Sequence, residues 1–231
     1  MNLAVEGLRA GYGSAVIVDG ISFEVPDHGA LAIVGRNGMG KSTLLRAITG
    51  YLKPMAGAVR VGGRSTIGTP TYRLARMGVV YTPQEQSLFG ELSVEENLSV
   101  GVGGRCPKDL RDEILSVFPV LGERLRQRAG TLSGGEQKML TLAKALAMRP
   151  EMLLLDEISD GLGPGVVTVV GETLTRLREQ FGCTLLMVEQ NLDLSLRVAD
   201  RVAVLKLGSI VFECESTEPG LREELTEQLA P

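Results

Sequence analysis

Eight consecutive residues, Gly35-Arg36-Asn37-Gly38-Met39-Gly40-Lys41-Ser42, combine the groups needed to hold a triphosphate. Gly35, Gly38 and Gly40 free the backbone to turn its N–H groups inward around an anion. Lys41 is placed to reach β- and γ-phosphates, and the Ser42 hydroxyl to ligate Mg²⁺. Asn37 and Thr43 complete the candidate nucleotide contacts on this loop. A turn that only caps a helix needs neither the lysine nor the serine, so the stretch predicts binding of a nucleoside triphosphate.

Two further clusters carry chemistry. Met152-Leu153-Leu154-Leu155-Asp156-Glu157 is an apolar run closed by paired carboxylates. At the carboxyl edge of a parallel sheet they would point into the ligand crevice. Asp156 is then a candidate for holding the Mg²⁺ hydration shell, and Glu157 for the general base that polarises the attacking water. The second cluster is Leu132-Ser133-Gly134-Gly135-Glu136-Gln137, ahead of a helical pattern. Ser133 at the N-cap with Glu136 at N3 makes a capping box, which explains both residues without a ligand. Gly134 and Gly135 expose N–H groups at a helix N-terminus, a potential second anion site. From spacing alone, both readings stand.

These groups need strands and helices to place them. Ala30-Leu31-Ala32-Ile33-Val34 is short and apolar, as a strand buried on both faces requires. After the loop, Leu44, Leu45 and Ile48 share one helical face. Apolar runs at 79–81, 152–155, 184–188 and 202–205 predict further central strands of a mostly parallel sheet. Segments at 3–5, 16–18, 21–25 and 58–61 predict a small antiparallel region near the start. Residues 94–147 are charge-rich and helical in period, broken by Gly101-Val102-Gly103-Gly104, Pro107 and Pro119. They predict a helical insert, so that residues 91–147 interrupt a nucleotide-binding core formed by 1–90 and 148–231 in a single α/β domain. A terminal helix is expected within 213–231.

Composition narrows the partners. A net charge of −4, with basic residues dispersed, gives no nucleic-acid-binding surface. Three cysteines without CxxC spacing read as reduced thiols. The first residues lack a signal-peptide pattern, and no run approaches the ~20 apolar residues of a membrane span. A cytoplasmic chain, reaching any membrane through a partner, is the expectation.

The order of phosphate loop, LSGGEQ and LLLLDE resembles the nucleotide-binding subunit of ABC transporters over essentially the whole chain. The resemblance implies a P-loop NTPase core with an N-terminal antiparallel region and an inserted helical subdomain, using ATP and Mg²⁺. It also implies that Ser133, Gly134, Gly135 and Glu136 close over ATP held by a second ATPase subunit, in a heterodimer or homodimer. Tyr12 would stack on adenine, although as a residue it could equally be a half-buried turn aromatic. Gln84 would contact Mg²⁺ and the transmembrane permease. Ser159-Asp160-Gly161-Leu162 would cross the dimer interface. In that setting the chain lies on the cytoplasmic face of the bacterial inner membrane, with a periplasmic solute-binding protein as an indirect partner.

GRNGMGKS, Gln127-Arg128-Ala129-Gly130, Ala199-Asp200-Arg201 and VEQN resemble one subgroup, the smaller ATPase of branched-chain amino acid importers and their urea/amide relatives. Within Tyr81-Thr82-Pro83-Gln84-Glu85-Gln86, glutamine replaces the glutamate of many branched-chain members and approaches the urea-type pattern. A soluble ABC ATPase outside transport would normally need a coiled-coil insertion or a tandem domain, for which this chain has no room. Gln190 stands where most of the family carries a γ-phosphate-sensing histidine; an amide can donate to a phosphate oxygen but cannot shuttle a proton at neutral pH. Gln190 is therefore a catalytic-site candidate that leaves base work to Glu157, with slower hydrolysis expected than in a histidine-bearing partner. The single histidine, His28, is expected in a surface turn. Ile158 and Gly163, replacing the usual proline and alanine, predict a looser interface loop.

Overall fold

In the computed structural model, residues 1–84 and 87–229 are described; Glu85 and Gln86 of the urea-like segment, and the last two residues, lie outside them. The chain opens on β1 (Leu3–Tyr12) and β2 (Ala15–Val25), paired antiparallel from Leu3↔Val25 to Tyr12↔Ala15. The strands expected separately at 16–18 and 21–25 are one strand. Register shifts absorb the interruption, with Gly7 and Gly20 taking positive φ where the alternation breaks. β3 (Ala30–Val34) leads into the phosphate loop and α1 (Lys41–Ile48). β4 (Ala56–Val61) and the short β5 (Arg64–Ser65) complete a four-stranded antiparallel sheet in the order β2-β1-β4-β5.

After α2 (Thr71–Arg76) and β6 (Val79–Thr82) come α3 (Val94–Gly101), α4 (Lys108–Val117), α5 (Pro119–Gly122) and α6 (Gly134–Ala147). The α/β alternation then resumes with β7 (Met152–Asp156), α7 (Pro164–Phe181), β8 (Thr184–Glu189), α8 (Leu192–Val198) and β9 (Arg201–Lys206). β10 (Ser209–Glu215) and α9 (Leu221–Gln228) close it. Glu213–Glu215 therefore belong to a strand paired with β9, not to the terminal helix, which begins only after Gly220.

The second sheet has the order β10-β9-β3-β8-β7-β6, parallel except for the β10–β9 hairpin. Its strands are apolar on both faces because both faces are covered. Leu31, Ile33, Leu154, Leu186, Val188 and Leu205 face a core shared with α1 and the antiparallel sheet. Ala32, Val34, Leu153, Leu155, Met187 and Val204 face the other core. That second core continues without a break into Leu98, Leu110, Ile114 and Leu146 of the inserted helices. The insertion is thus soldered to the sheet and does not rest on a separate core of its own. The fold is the mixed α/β cassette expected: an antiparallel N-terminal sheet, a mostly parallel sheet and a helical insertion.

Candidate active site

β3 is central in the parallel sheet, flanked by β8 and β9, so its carboxyl end opens between two neighbours, where α/β sheets bind ligands. Here the backbone turns sharply. Gly38 has φ +80° and Gly40, the N-cap of α1, φ +104°, conformations in which a side chain is strained. Gly35 is glycine for a different reason: a Cβ there would sit 2.6 Å from the Leu205 carbonyl oxygen. Gly35→Ala is therefore expected to push β3 from β9 and lower stability by roughly 1–3 kcal/mol, read as a lower urea midpoint.

Lys41 lies in the loop's concavity, 3% exposed. Its Nζ donates to the carbonyls of Gly35 (2.7 Å) and Arg36 (2.9 Å) and pairs with Glu157 Oε1 at 2.9 Å. Glu157 is buried and holds φ +48°, unusual for a residue with a side chain. Its N–H donates to the Val188 carbonyl, 2.9 Å, which fixes the bend after β7. The second Glu157 oxygen accepts from Gln84 Nε2 (3.0 Å), and the same nitrogen reaches Asp160 Oδ2 (3.0 Å). With the amide nitrogen turned to two carboxylates, the Gln84 carbonyl oxygen is the end left to face a cation.

Asp156 ends β7, and its carboxylate is held from both sides. Ser42 Oγ donates to Oδ1 at 2.9 Å and the Tyr81 hydroxyl to Oδ2 at 2.8 Å. Burial pushes the Asp156 carboxyl above the usual carboxylate range, opposed by these two hydrogen bonds. Tyr81 is pushed upward in turn, by burial first and then by the carboxylate beside it. The Ser42 hydroxyl and the Asp156 carboxylate thus converge as hard oxygen donors, the donor type Mg²⁺ prefers.

Tyr12 is half-exposed at the end of β1, its hydroxyl accepting from Arg46 Nη1 at 3.1 Å. That guanidinium holds the phenol below its ordinary range. Thr43 is buried in the first turn of α1, next to Ser42. Gln190, just past β8, donates from Nε2 to Asn37 Oδ1 at 2.6 Å, joining the sheet edge to the phosphate loop. The structure so brings together Lys41, Ser42, Gln84, Asp156 and Glu157, ties Gln190 to Asn37 of the phosphate loop, and links Tyr12 to α1 through Arg46.

Ser133, Gly134, Gly135 and Glu136 lie at the start of α6, where Gly134 lines a cavity with Gln84 and Asp160. Ser133 N–H and Oγ donate to Glu136 Oε2, both at 2.9 Å, and Glu136 N–H donates back to Ser133 Oγ at 3.4 Å, the capping box expected. Arg124 pairs with the other Glu136 oxygen at 2.9 Å. The glycines differ. A Cβ on Gly135 would meet Val166 at 2.7 Å, so close helix packing explains it, whereas around Gly134 there is open space. His28 lies exposed in a turn, its ring against the Gly182 carbonyl. The three cysteines are buried and free. Among the described residues, no helix is long and apolar enough to cross a membrane.

Three residues of this site escaped the motif reading: Tyr81, Arg46 and Glu189. Glu189 alone left a trace, a carboxylate closing an apolar strand just as Asp156 does. It is buried, and its carboxylate anchors Ser159, so the loop after Glu157 is better tethered than Ile158 and Gly163 suggest; Ile158 itself is core.

A glycine cradle at a helix N-terminus, a buried lysine inside it and two strand-end carboxylates opposite define a P-loop ATPase cassette. Residues 18–160 match the ABC transporter family. The chain belongs to that family, as one of its ATPases. It is 39% identical over 214 residues to the high-affinity branched-chain amino acid transport ATP-binding protein BraG of Pseudomonas aeruginosa, covering 91% of each chain. It is 35% identical over 214 residues to the probable branched-chain amino acid transport ATP-binding protein LivF of Archaeoglobus fulgidus, again covering 91% of each. A crystal structure of a nucleotide-free ATP-binding cassette from an ABC transporter superposes with TM-score 0.86 at 28% identity, covering 98% of this chain and 96% of that one.

Proposed function

We propose that this chain is the ATP-hydrolysing subunit of an importer for branched-chain amino acids. The observation that carries the catalytic half is the cluster of Lys41, Ser42, Asp156 and Glu157 at one sheet edge. The solute rests on similarity over nine-tenths of the chain to BraG and LivF.

In this reading free N–H groups of the loop between Gly35 and Thr43 receive the triphosphate at the α1 N-terminus. Lys41 exchanges the Gly35 and Arg36 carbonyls for β- and γ-phosphate oxygens. That exchange releases Glu157 from its ion pair, so the base becomes available when nucleotide has arrived. Ser42, Asp156 and the Gln84 carbonyl would hold Mg²⁺, which neutralises charge on the β- and γ-phosphates. Glu157 orients and polarises the attacking water, and Gln190 donates toward the phosphate from the Asn37 side. Tyr12 offers its exposed ring to the adenine. Gly134, with no neighbour that forbids a side chain, keeps the α6 N-terminus open to the phosphates of ATP on a second ATPase subunit. Gln84 and the inserted helices form the face for transmembrane permeases, so the chain works peripherally at the inner membrane. Division into a core of 1–90 and 148–231 and a helical subdomain of 91–147 suits that arrangement.

Gln84 favours a second reading of the solute, a urea or short-chain amide. The chain co-purified with its permeases and reconstituted with the solute-binding protein distinguishes the two: leucine, isoleucine or valine should stimulate ATP hydrolysis. Stimulation by urea or acetamide alone would transfer the assignment. Asp156→Asn should raise the Mg²⁺ concentration needed for half-maximal hydrolysis by about tenfold, the equivalent of ~1.4 kcal/mol; an unchanged Mg²⁺ dependence would remove Asp156 from the metal site.

A further inference from the structure

Glu189 is a buried carboxylate with no cationic partner among the salt bridges of the described residues, and neither loop that carries the reaction includes it. Only 1% exposed, it occupies the last position of β8. Oε1 accepts the Ser159 N–H at 3.0 Å; Oε2 accepts the Ser159 hydroxyl at 2.7 Å and the Gln190 N–H at 3.2 Å. Its main-chain carbonyl accepts the N–H of Gly35, the first residue of the phosphate loop, at 3.2 Å. One residue therefore holds three segments: the phosphate loop by its backbone, the Ser159–Leu162 loop by its side chain, and Gln190 by both covalent bond and hydrogen bond. Ser159 lies two residues beyond Glu157, whose own N–H is tied to the neighbouring Val188. Glu157, Ser159, Asp160, Glu189 and Gln190 line one cavity of about 260 Å³.

An ordinary strand end has no need of this. A buried carboxyl whose two oxygens accept from three N–H and O–H donors fixes the directions of those donors. We propose that Glu189 is a positioning residue for hydrolysis: it clamps Ser159 so that Glu157 and the loop beyond it keep one spacing from the phosphate loop and Gln190. This rests on Glu157 being the base.

The effect belongs on kcat. In Glu189→Gln one acceptor oxygen becomes an NH₂ facing N–H and O–H donors, which forces the Ser159 loop to shift while the phosphate loop keeps its backbone anchor. Steady-state ATP hydrolysis by the full chain, co-expressed with its permeases, should show kcat lower by at least tenfold and KM for MgATP within twofold of wild type. Ser159→Ala should lower kcat by about threefold, again with KM unchanged. The double variant should be no slower than Glu189→Gln alone, since both break the same contact. Unchanged kcat in either single variant, additive losses, or a loss confined to KM would overturn the clamp. Should Glu189→Gln fail to fold, Ser159→Ala decides by the same kcat criterion. Glu157→Gln, measured alongside, separates the two ideas: if it abolishes turnover while the clamp variants do not slow it, only the clamp falls; if it leaves turnover intact, the base assignment falls.

Discussion

Glu157→Gln is expected to reduce ATP turnover by about 10²- to 10⁴-fold, the usual contribution of a positioned general base, while the protein still binds MgATP. Gln190 is what makes the expected loss so complete. An amide already committed to Asn37 at 2.6 Å stands at position 190, and it has no proton to exchange at neutral pH. Glutamine at 157 keeps the length and planarity of the side chain. It can still accept from Gln84, and Lys41 keeps its two carbonyl partners, so the site retains its shape. Phosphate release and equilibrium binding of MgATP, measured on the same preparation, should therefore part company. Turnover near wild type would place the base elsewhere.

Lys41→Ala should remove both binding and turnover, with a second consequence in the empty protein. The Lys41–Glu157 pair is buried on both sides, with 3% and 7% of the side chains exposed. Deleting the lysine leaves a carboxylate away from water with Gln84 as its remaining partner, and breaking one half of a buried pair costs about 3–5 kcal/mol. Urea unfolding without nucleotide should show this as a lower midpoint. Combining Lys41→Ala with Glu157→Gln removes the stranded charge, so the midpoint should recover in part while ATP binding does not. Added MgATP should raise the wild-type midpoint by mass action and leave both lysine variants where they were. Equal destabilisation in the single and double variants would mean that the pair contributes packing and no electrostatic balance.

The motifs that were legible in the sequence are those whose parts are neighbours along the chain. Strand, glycine loop, lysine and helix follow one another from Ala30 to Ile48, so the anion cradle could be read from local conformational preference and helix electrostatics. The Ser133–Glu136 capping box spans one helical turn and was legible for the same reason. The apolar run ending in Asp156 and Glu157 announced a buried strand with charge at its edge. Patterning also placed the parallel strands and the inserted helices, because burial on two faces or on one stripe leaves its period in the sequence. It placed the end of the chain less well: Glu213-Cys214-Glu215 is too short for its alternation to stand out from the acidic tail, yet pairing with β9 draws it into a strand.

Contact across distance was decided only by the folded chain. Ser42 meets Asp156 across 114 positions, and Gln190 meets Asn37 across 153. No local periodicity encodes such pairs; they exist because β3, β7 and β8 lie side by side in one sheet. The pairing of β6 with β7 brought Tyr81 to Asp156, and that of β7 with β8 brought Glu189 to Ser159. Residue types and spacing along the chain thus determined the phosphate-loop motif and the paired carboxylates at a strand end. The packing of strands distant in sequence decided how those groups are oriented, because a side chain's hydrogen-bond partners are chosen by the sheet that surrounds it.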